Sequence, residues 1–225
     1  MKSVRTHLMS AAAVLAFATG ASAATLIDNA TQGLYNNGIG TSLNGTNPFG
    51  GSFMFPVSGD PSLDIPAANE PDLSAATGAL GNWLTDPTAP GGAWDGPQAI
   101  PASWTVDTET AILYEIDGGS LGFDNVVASF GVDNGLFVWL NGTFLGGHLR
   151  PGGSSLGEFV LNVGSIGSGS NFLQVLREDH GGSTGYAVSM VGDVAAVPVP
   201  AAGLMLLGGL GALAGLRRRR RRRHS

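Results

Sequence analysis

Two segments match the Gly-x-Ser-x-Gly pattern of a serine nucleophile, Gly153-Ser-Ser155-Leu-Gly157 and Gly181-Gly-Ser183-Thr-Gly185. A nucleophile elbow needs a strand before it and a helix after it, so that a sharp turn lifts the hydroxyl. Strand-type alternation follows both segments, and they read as glycine-rich turns. His148 and His180 are the only histidines of the chain's body, and each sits in a polar stretch where a solvated imidazole is expected. Either could serve as a general base, but no His-Glu-x-x-His or similar zinc spacing accompanies them, and neither a catalytic residue nor a metal ligand is assigned. Asp124-Asn125, Asp133-Asn134 and Glu178-Asp179 stand at expected strand ends. They offer oxygens suited to a structural Ca²⁺, although such pairs more commonly form turns. A glycosidase needs only two carboxylates, and with carboxylates plentiful such a pair is left open.

Sugar recognition asks for different residues. An indole offers a flat face to the C–H groups of a pyranose, and Trp83, Trp94 and Trp104 fall in or at the end of a proline-rich stretch. The candidate ligand-binding set is Trp83, Trp94, Asp133, His148 and Arg150. Tryptophan would stack, while Asp133 and Arg150 would orient ring hydroxyls through charge-assisted hydrogen bonds. The competing role for the tryptophans is to close the open ends of a sandwich core.

The net charge of −6 averages parts that separate. Lys2, Arg5 and Arg217 to Arg223 lie at the two ends. Residues 24–196 hold all 17 acids against Arg150 and Arg177 alone, a net of −15. Such a body repels phosphate backbones, which argues against nucleic acid. It also repels acidic polysaccharide unless divalent cations bridge the two, and it keeps a secreted protein soluble. There is no cysteine, so an exported domain of this size would rely on its core instead of disulfides.

The elements that must position these side chains are strands. Thr110 to Ile116 alternates through Ile112, Tyr114 and Ile116, and Asn125 to Val132 alternates through Val126, Ala128, Phe130 and Val132. Leu136 to Leu140 and Thr143 to Leu145 flank Asn141-Gly142, the strongest short hairpin signal. Its inward residues are either Val138 and Leu140 or Phe137 and Trp139. Glu158 to Val163, Phe172 to Arg177 and Tyr186 to Val191 complete the set, and no helical period occurs in the body. Short alternating strands separated by turn signals make an all-β sandwich. Upstream, Thr25 to Asp28 and Ser52 to Val57 are candidate strands, the latter at an edge because of Pro56. Residues 61–101 hold seven prolines and little periodicity, and are expected to form long surface loops.

The ends carry addresses. Met1 to Ala23 has a positive n-region at Lys2 and Arg5, an apolar run from Ala11 to Thr19, and an Ala21-Ser22-Ala23 cleavage site, the pattern of a signal peptide. At the other end Val197-Pro-Val199-Pro-Ala201 leads into an uncharged segment to Leu216 and then seven consecutive arginines. An apolar segment stopped by arginines places this transmembrane segment with its basic end in the cytoplasm. About 20 residues span a bilayer comfortably, and the 16 from Ala201 to Leu216 are short for a permanent anchor. This order resembles the PEP-CTERM sorting signal in its Val-Pro-Leu-Pro-Ala variant, with Val199 in place of leucine. The resemblance implies cleavage near Val197 to Pro200 by an exosortase-type membrane protease and delivery of the body to the cell surface or extracellular matrix.

Phe130 to His148 joins an Asp-bearing turn, an aromatic strand, Asn141-Gly142, a short strand and Gly147-His148, and Asn171-Phe-Leu-Gln-Val-Leu176 follows. This resembles the galactose-binding-like jelly roll, a family that includes carbohydrate binders and domains that only support a neighbour. The expectation is therefore a leader (1–23), a β-sandwich (24–196) and a sorting signal (197–225). Its function is that of a non-catalytic surface or biofilm-matrix protein, with exopolysaccharide as a candidate partner. A polysaccharide hydrolase and a purely structural matrix protein stay open. Three Asn-x-Thr sequons, at Asn29, Asn44 and Asn141, are incidental on a chain with a bacterial-type tail.

Overall fold

The computed structural model describes residues 23–196 apart from Ser62. The expected leader through residue 22 and the expected sorting signal, with Val197, Pro198, Val199, Pro200 and Ala201, lie outside the described residues. The fold is all-β. Its strands are β1 (Ala23–Ile27), β2 (Gln32–Gly40), β3 (Thr46–Phe49), β4 (Ser52–Phe55), β5 (Ile65–Ala68) and β6 (Asp95–Ala99). They continue with β7 (Glu109–Asp117), β8 (Phe123–Leu140), β9 (Thr143–Arg150), β10 (Phe159–Ile166), β11 (Ser170–Glu178) and β12 (Gly185–Val194). A 3₁₀ turn (Ser74–Ala76) runs into the short helix α1 (Thr77–Leu80).

Ten of the strands form one curled antiparallel sheet, consistent with a β-sandwich, and β3 and β4 form a separate hairpin. Strand β8 is the hinge of the curl. Its first half pairs with β12 and β10, through Phe130↔Val188 and Phe130↔Phe159, while its second half pairs with β11 and β9. The sequence leads one to expect two strands here, but the chain continues through Asp133-Asn134 and changes partners at that point. The Asn141-Gly142 hairpin forms as expected, with φ of +50° and +76°. The Asn141 side chain also accepts the Phe172 N–H at 2.8 Å, which ties the turn to β11.

Two cores result. One lies inside the curl and packs Ile112, Tyr114, Val138 and Val175 against Val126, Phe130, Val188 and Met190. The other covers the outer face of the β7–β11–β8 region, where Ala111, Leu176, Phe137 and Trp139 meet Leu43, Phe55, Leu80 and Trp83. Phe137, Val138 and Trp139 are all buried because both faces of the sheet are covered, and so neither alternate set alone is inward.

The second core corrects the expectation for residues 61–101. That segment is not a set of free surface loops. Ala76, Leu80 and Trp83 are at most 2% exposed, and burial of large apolar side chains at roughly 2–3 kcal/mol each holds the segment down. Asn36 in β2 adds a polar tie, its Nδ2 donating to Ala79 O at 2.8 Å.

Candidate functional site

One end of the sheet gathers charge. The register Arg177↔Thr110 and Arg177↔Leu136 aligns the ends of β7, β8 and β11. Glu109 therefore lies beside Glu178, which pairs with Gly135. Alternation sends Arg177 and Glu178 to opposite faces.

Arg177 enters the inner core fully buried. Its guanidinium carbon lies 4.1 Å from the Trp104 ring centroid, 4.9 Å from Tyr186 and 5.5 Å from Tyr35. Its Nε donates to Thr110 Oγ1 at 3.0 Å and Nη1 donates to Pro101 O at 2.8 Å. Burial lowers its pKa, and the three tyrosines Tyr35, Tyr186 and Tyr114 oppose that. The aromatic faces supply the negative potential that a carboxylate would otherwise provide.

On the other face, His180 Nδ1 and Glu178 Oε1 lie 2.5 Å apart. Glu178 fits because Gly135 has no side chain: a Cβ there would sit 2.9 Å from Glu178 Oε2. Burial raises the Glu178 pKa, and its bond to His180 opposes this. Burial lowers the His180 pKa, but the hydrogen bond and charge of Glu178 outweigh it and the net direction is upward. Glu109 is 0% exposed, and neither of its oxygens has a hydrogen-bond partner among the described residues. Its pKa rises to about 8, first through burial and then through the charge of Glu178. Asp179 is pushed upward by burial, and its Oδ2 accepts the Asp107 N–H at 2.7 Å.

An open groove of about 440 Å³ adjoins this cluster, lined in part by Ser58, Asp60, Val106, Asp107, His180 and Gly181. The Val57–Asp60 turn that forms one wall closes on itself, with Val57 N–H donating to Asp60 Oδ2 at 3.2 Å and Asp60 N–H to Val57 O at 3.0 Å. Asp107 holds a left-handed φ of +64°, which its N–H bond to Asp179 fixes. Chemically the groove offers carboxylate acceptors, an oriented imidazole and one apolar patch at Val106.

The expected site residues fall into two separate groups. Trp83 is 2% exposed and packs at 5.6 Å from Trp94 and 5.5 Å from Trp139. Trp94 donates its Nε1–H to Leu80 O at 3.0 Å. Both belong to the second core, so Trp83 has no open face for a sugar. Asp133, His148 and Arg150 lie at one end of β8 and β9, where Asn134↔Arg150 and Leu136↔His148 are paired. Asp133 is 8% exposed, and its Oδ2 accepts the Ser183 hydroxyl at 3.0 Å. Arg150 is exposed. His148 is not solvated: it is 7% exposed and stacks on Phe159 at 5.0 Å. His180 is also buried, at 4%.

Neither Gly-x-Ser-x-Gly segment leads to a helix, since β10 follows the first and Gly185 opens β12. Among the described residues no three His, Asp or Glu side chains are arranged to hold a metal ion. Asp124 accepts the Ser165 hydroxyl and Asn125 donates to Asp193. Sequence reasoning missed Asp60, Asp107, Glu109 and Arg177 as parts of a charged cluster. The available signal was Arg177-Glu178-Asp179-His180, four polar residues closing an apolar strand. Compared with known families and curated proteins, the chain matches no family model and no curated relative.

Proposed function

We propose that this chain is an exported, non-catalytic surface or extracellular-matrix protein whose body is a galactose-binding-like jelly roll that binds polysaccharide. An exosortase-type protease would release it from its transient inner-membrane segment. The observation that carries the binding part is the open groove beside Asp60, Asp107 and His180. The two chain ends support export: a leader pattern at Met1 to Ala23, and a proline motif, apolar segment and arginine run at the other end. Strand β8 threading both halves of one antiparallel sheet supports the jelly-roll reading.

Glu109 and Glu178 are adjacent carboxyls of which Glu109 is strongly raised, a pattern that hydrolases use. Both are 0% exposed, out of reach of a polymer, which favours binding over hydrolysis. The test is retention of the full chain on immobilised polysaccharide from the matrix of its own producing cells. Retention with about micromolar to millimolar affinity and no loss of polymer length supports the proposal. Free passage through the column refutes it and leaves a purely structural matrix role, and shortened polymer would favour a hydrolase.

A further inference from the structure

We infer that Asn37 is a modification site, the asparagine of this chain that deamidates first in the folded protein. Asparagine before glycine is prone to this reaction, because a residue without Cβ leaves its backbone nitrogen unshielded. The glycine nitrogen loses its proton and attacks the asparagine Cγ. An N–C bond forms, and the Cγ–Nδ2 bond breaks with release of ammonia. Water then opens the cyclic imide at either carbonyl, which leaves aspartate or isoaspartate, and no oxidant or reductant takes part. Four Asn-Gly pairs occur, at Asn37, Asn44, Asn134 and Asn141, and the fold treats them differently.

Ring closure needs a side-chain amide free to turn and a backbone free to bend. Asn141 is held at both amide atoms, its Oδ1 accepting the Phe172 N–H at 2.8 Å and its Nδ2 donating to Asn171 Oδ1 at 3.0 Å. The Gly142 N–H is also engaged, with Gln174 Oε1 at 3.0 Å. Asn134 is 4% exposed within β8 and is paired with Arg150 of β9. Asn44 keeps its Oδ1 buried, and the Gly45 N–H donates to Phe55 O at 2.7 Å. Asn37 and Gly38 are both exposed, and among the described residues no hydrogen bond holds the Asn37 side chain. Strand β2 pairs with β7 at Asn36↔Ala111 and next at Gly40↔Glu109, so Asn37 and Gly38 lie in a bulge without a cross-strand partner. Ring closure there breaks the bond that Gly38 N–H donates to Asn36 Oδ1 at 2.9 Å, and leaves the strand ladder intact. Isoaspartate would lengthen the main chain between Asn36, tied to Ala79 O, and Ile39, which is 1% exposed in the second core. Space for it is short, since a Cβ on Gly38 would lie 2.7 Å from Ala93 Cβ. The product therefore loosens β2 from residues 79–93.

The test is peptide mapping by mass spectrometry of the full chain aged in mildly alkaline buffer, folded and, separately, in denaturant. In denaturant the four pairs should react at similar rates. In the folded chain Asn37 should react at least about 10-fold faster than the other three, whose ring closure must break further hydrogen bonds or open buried structure. The melting temperature should fall as isoaspartate accumulates at position 37, and Asn37→Gln should remove both the modification and that fall. Earlier reaction at Asn44, Asn134 or Asn141 overturns the inference, as do equal rates at all four in the folded chain. A folded chain in which no pair reacts, while the denatured chain reacts, overturns it too. Dominance of Asn37 in denaturant as well would trace the preference to local sequence and overturn the role of the fold. A melting temperature that falls equally in Asn37→Gln would overturn the loosening assigned to the product.

Discussion

His180 Nδ1 stands 2.5 Å from Glu178 Oε1, and the two side chains are 4% and 0% exposed. At that separation one proton lies between them, and each charge is the other's principal compensation. Breaking a buried pair of this kind typically costs about 3–5 kcal/mol. Glu178→Gln is therefore expected to lower global stability by about that amount. It should also lower the His180 pKa from its raised value, because the bond and charge that raise it are lost. Imidazole NMR titration of wild type and variant checks the second outcome, and an unmoved His180 titration would contradict the pairing.

Glu109 sets a pH dependence with a definite sign. Its pKa is raised from 4.5 to about 8 in the folded chain, so the folded state holds the proton more tightly than the unfolded state. Its contribution is full below about pH 4.5 and is lost as pH rises through about 8. Denaturant titrations across that window should show stability falling by an amount on the order of several kcal/mol. Glu109→Gln should flatten the slope, since the amide cannot ionise. A profile that is unchanged in the variant would assign the slope to another group.

Trp83 is a core residue, and its removal should be felt as one. Trp83→Ala opens a cavity between Trp94 and Trp139 and is expected to cost about 3–5 kcal/mol. Binding to matrix polysaccharide should persist wherever the variant stays folded. Thermal melts with column retention separate the two outcomes, and loss of retention without loss of stability would return Trp83 to the binding site.

Arg177 depends on shape as well as charge. A lysine keeps the charge but cannot lie flat against Trp104 or reach Thr110 Oγ1 and Pro101 O together. Arg177→Lys is expected to destabilise the protein by roughly 2–4 kcal/mol and to shift Trp104 emission. Denaturant unfolding followed by tryptophan fluorescence measures both.

Much of the downstream half was legible because its strands alternate and its turns are marked. Ile112, Tyr114 and Ile116 all enter the inner core, and Asn141-Gly142 turns the chain. The face of Leu136 to Leu140 was not legible, because residues 40–94 cover the outer side of that sheet and bury both alternate sets. Strand β2 was missed because Asn36-Asn37-Gly38 resembles a turn, whereas Asn36 is buried and bonded within the strand. Strands β5 and β6 contain Pro66 and Pro97 and lie at sheet edges, where proline is tolerated but the strand signal is weak. The charged cluster draws on residues 60, 107, 109 and 178–180, and only strand pairing brings positions this far apart in sequence together.

The most direct test of export and sorting is terminal mass analysis of the protein recovered from the envelope and matrix of producing cells. The expected species begins at Ala24 and ends between Val197 and Pro200, without the apolar segment or the arginine run. A mature form that still carries Arg217 to Arg223 would contradict sorting and leave a membrane-anchored protein in its place.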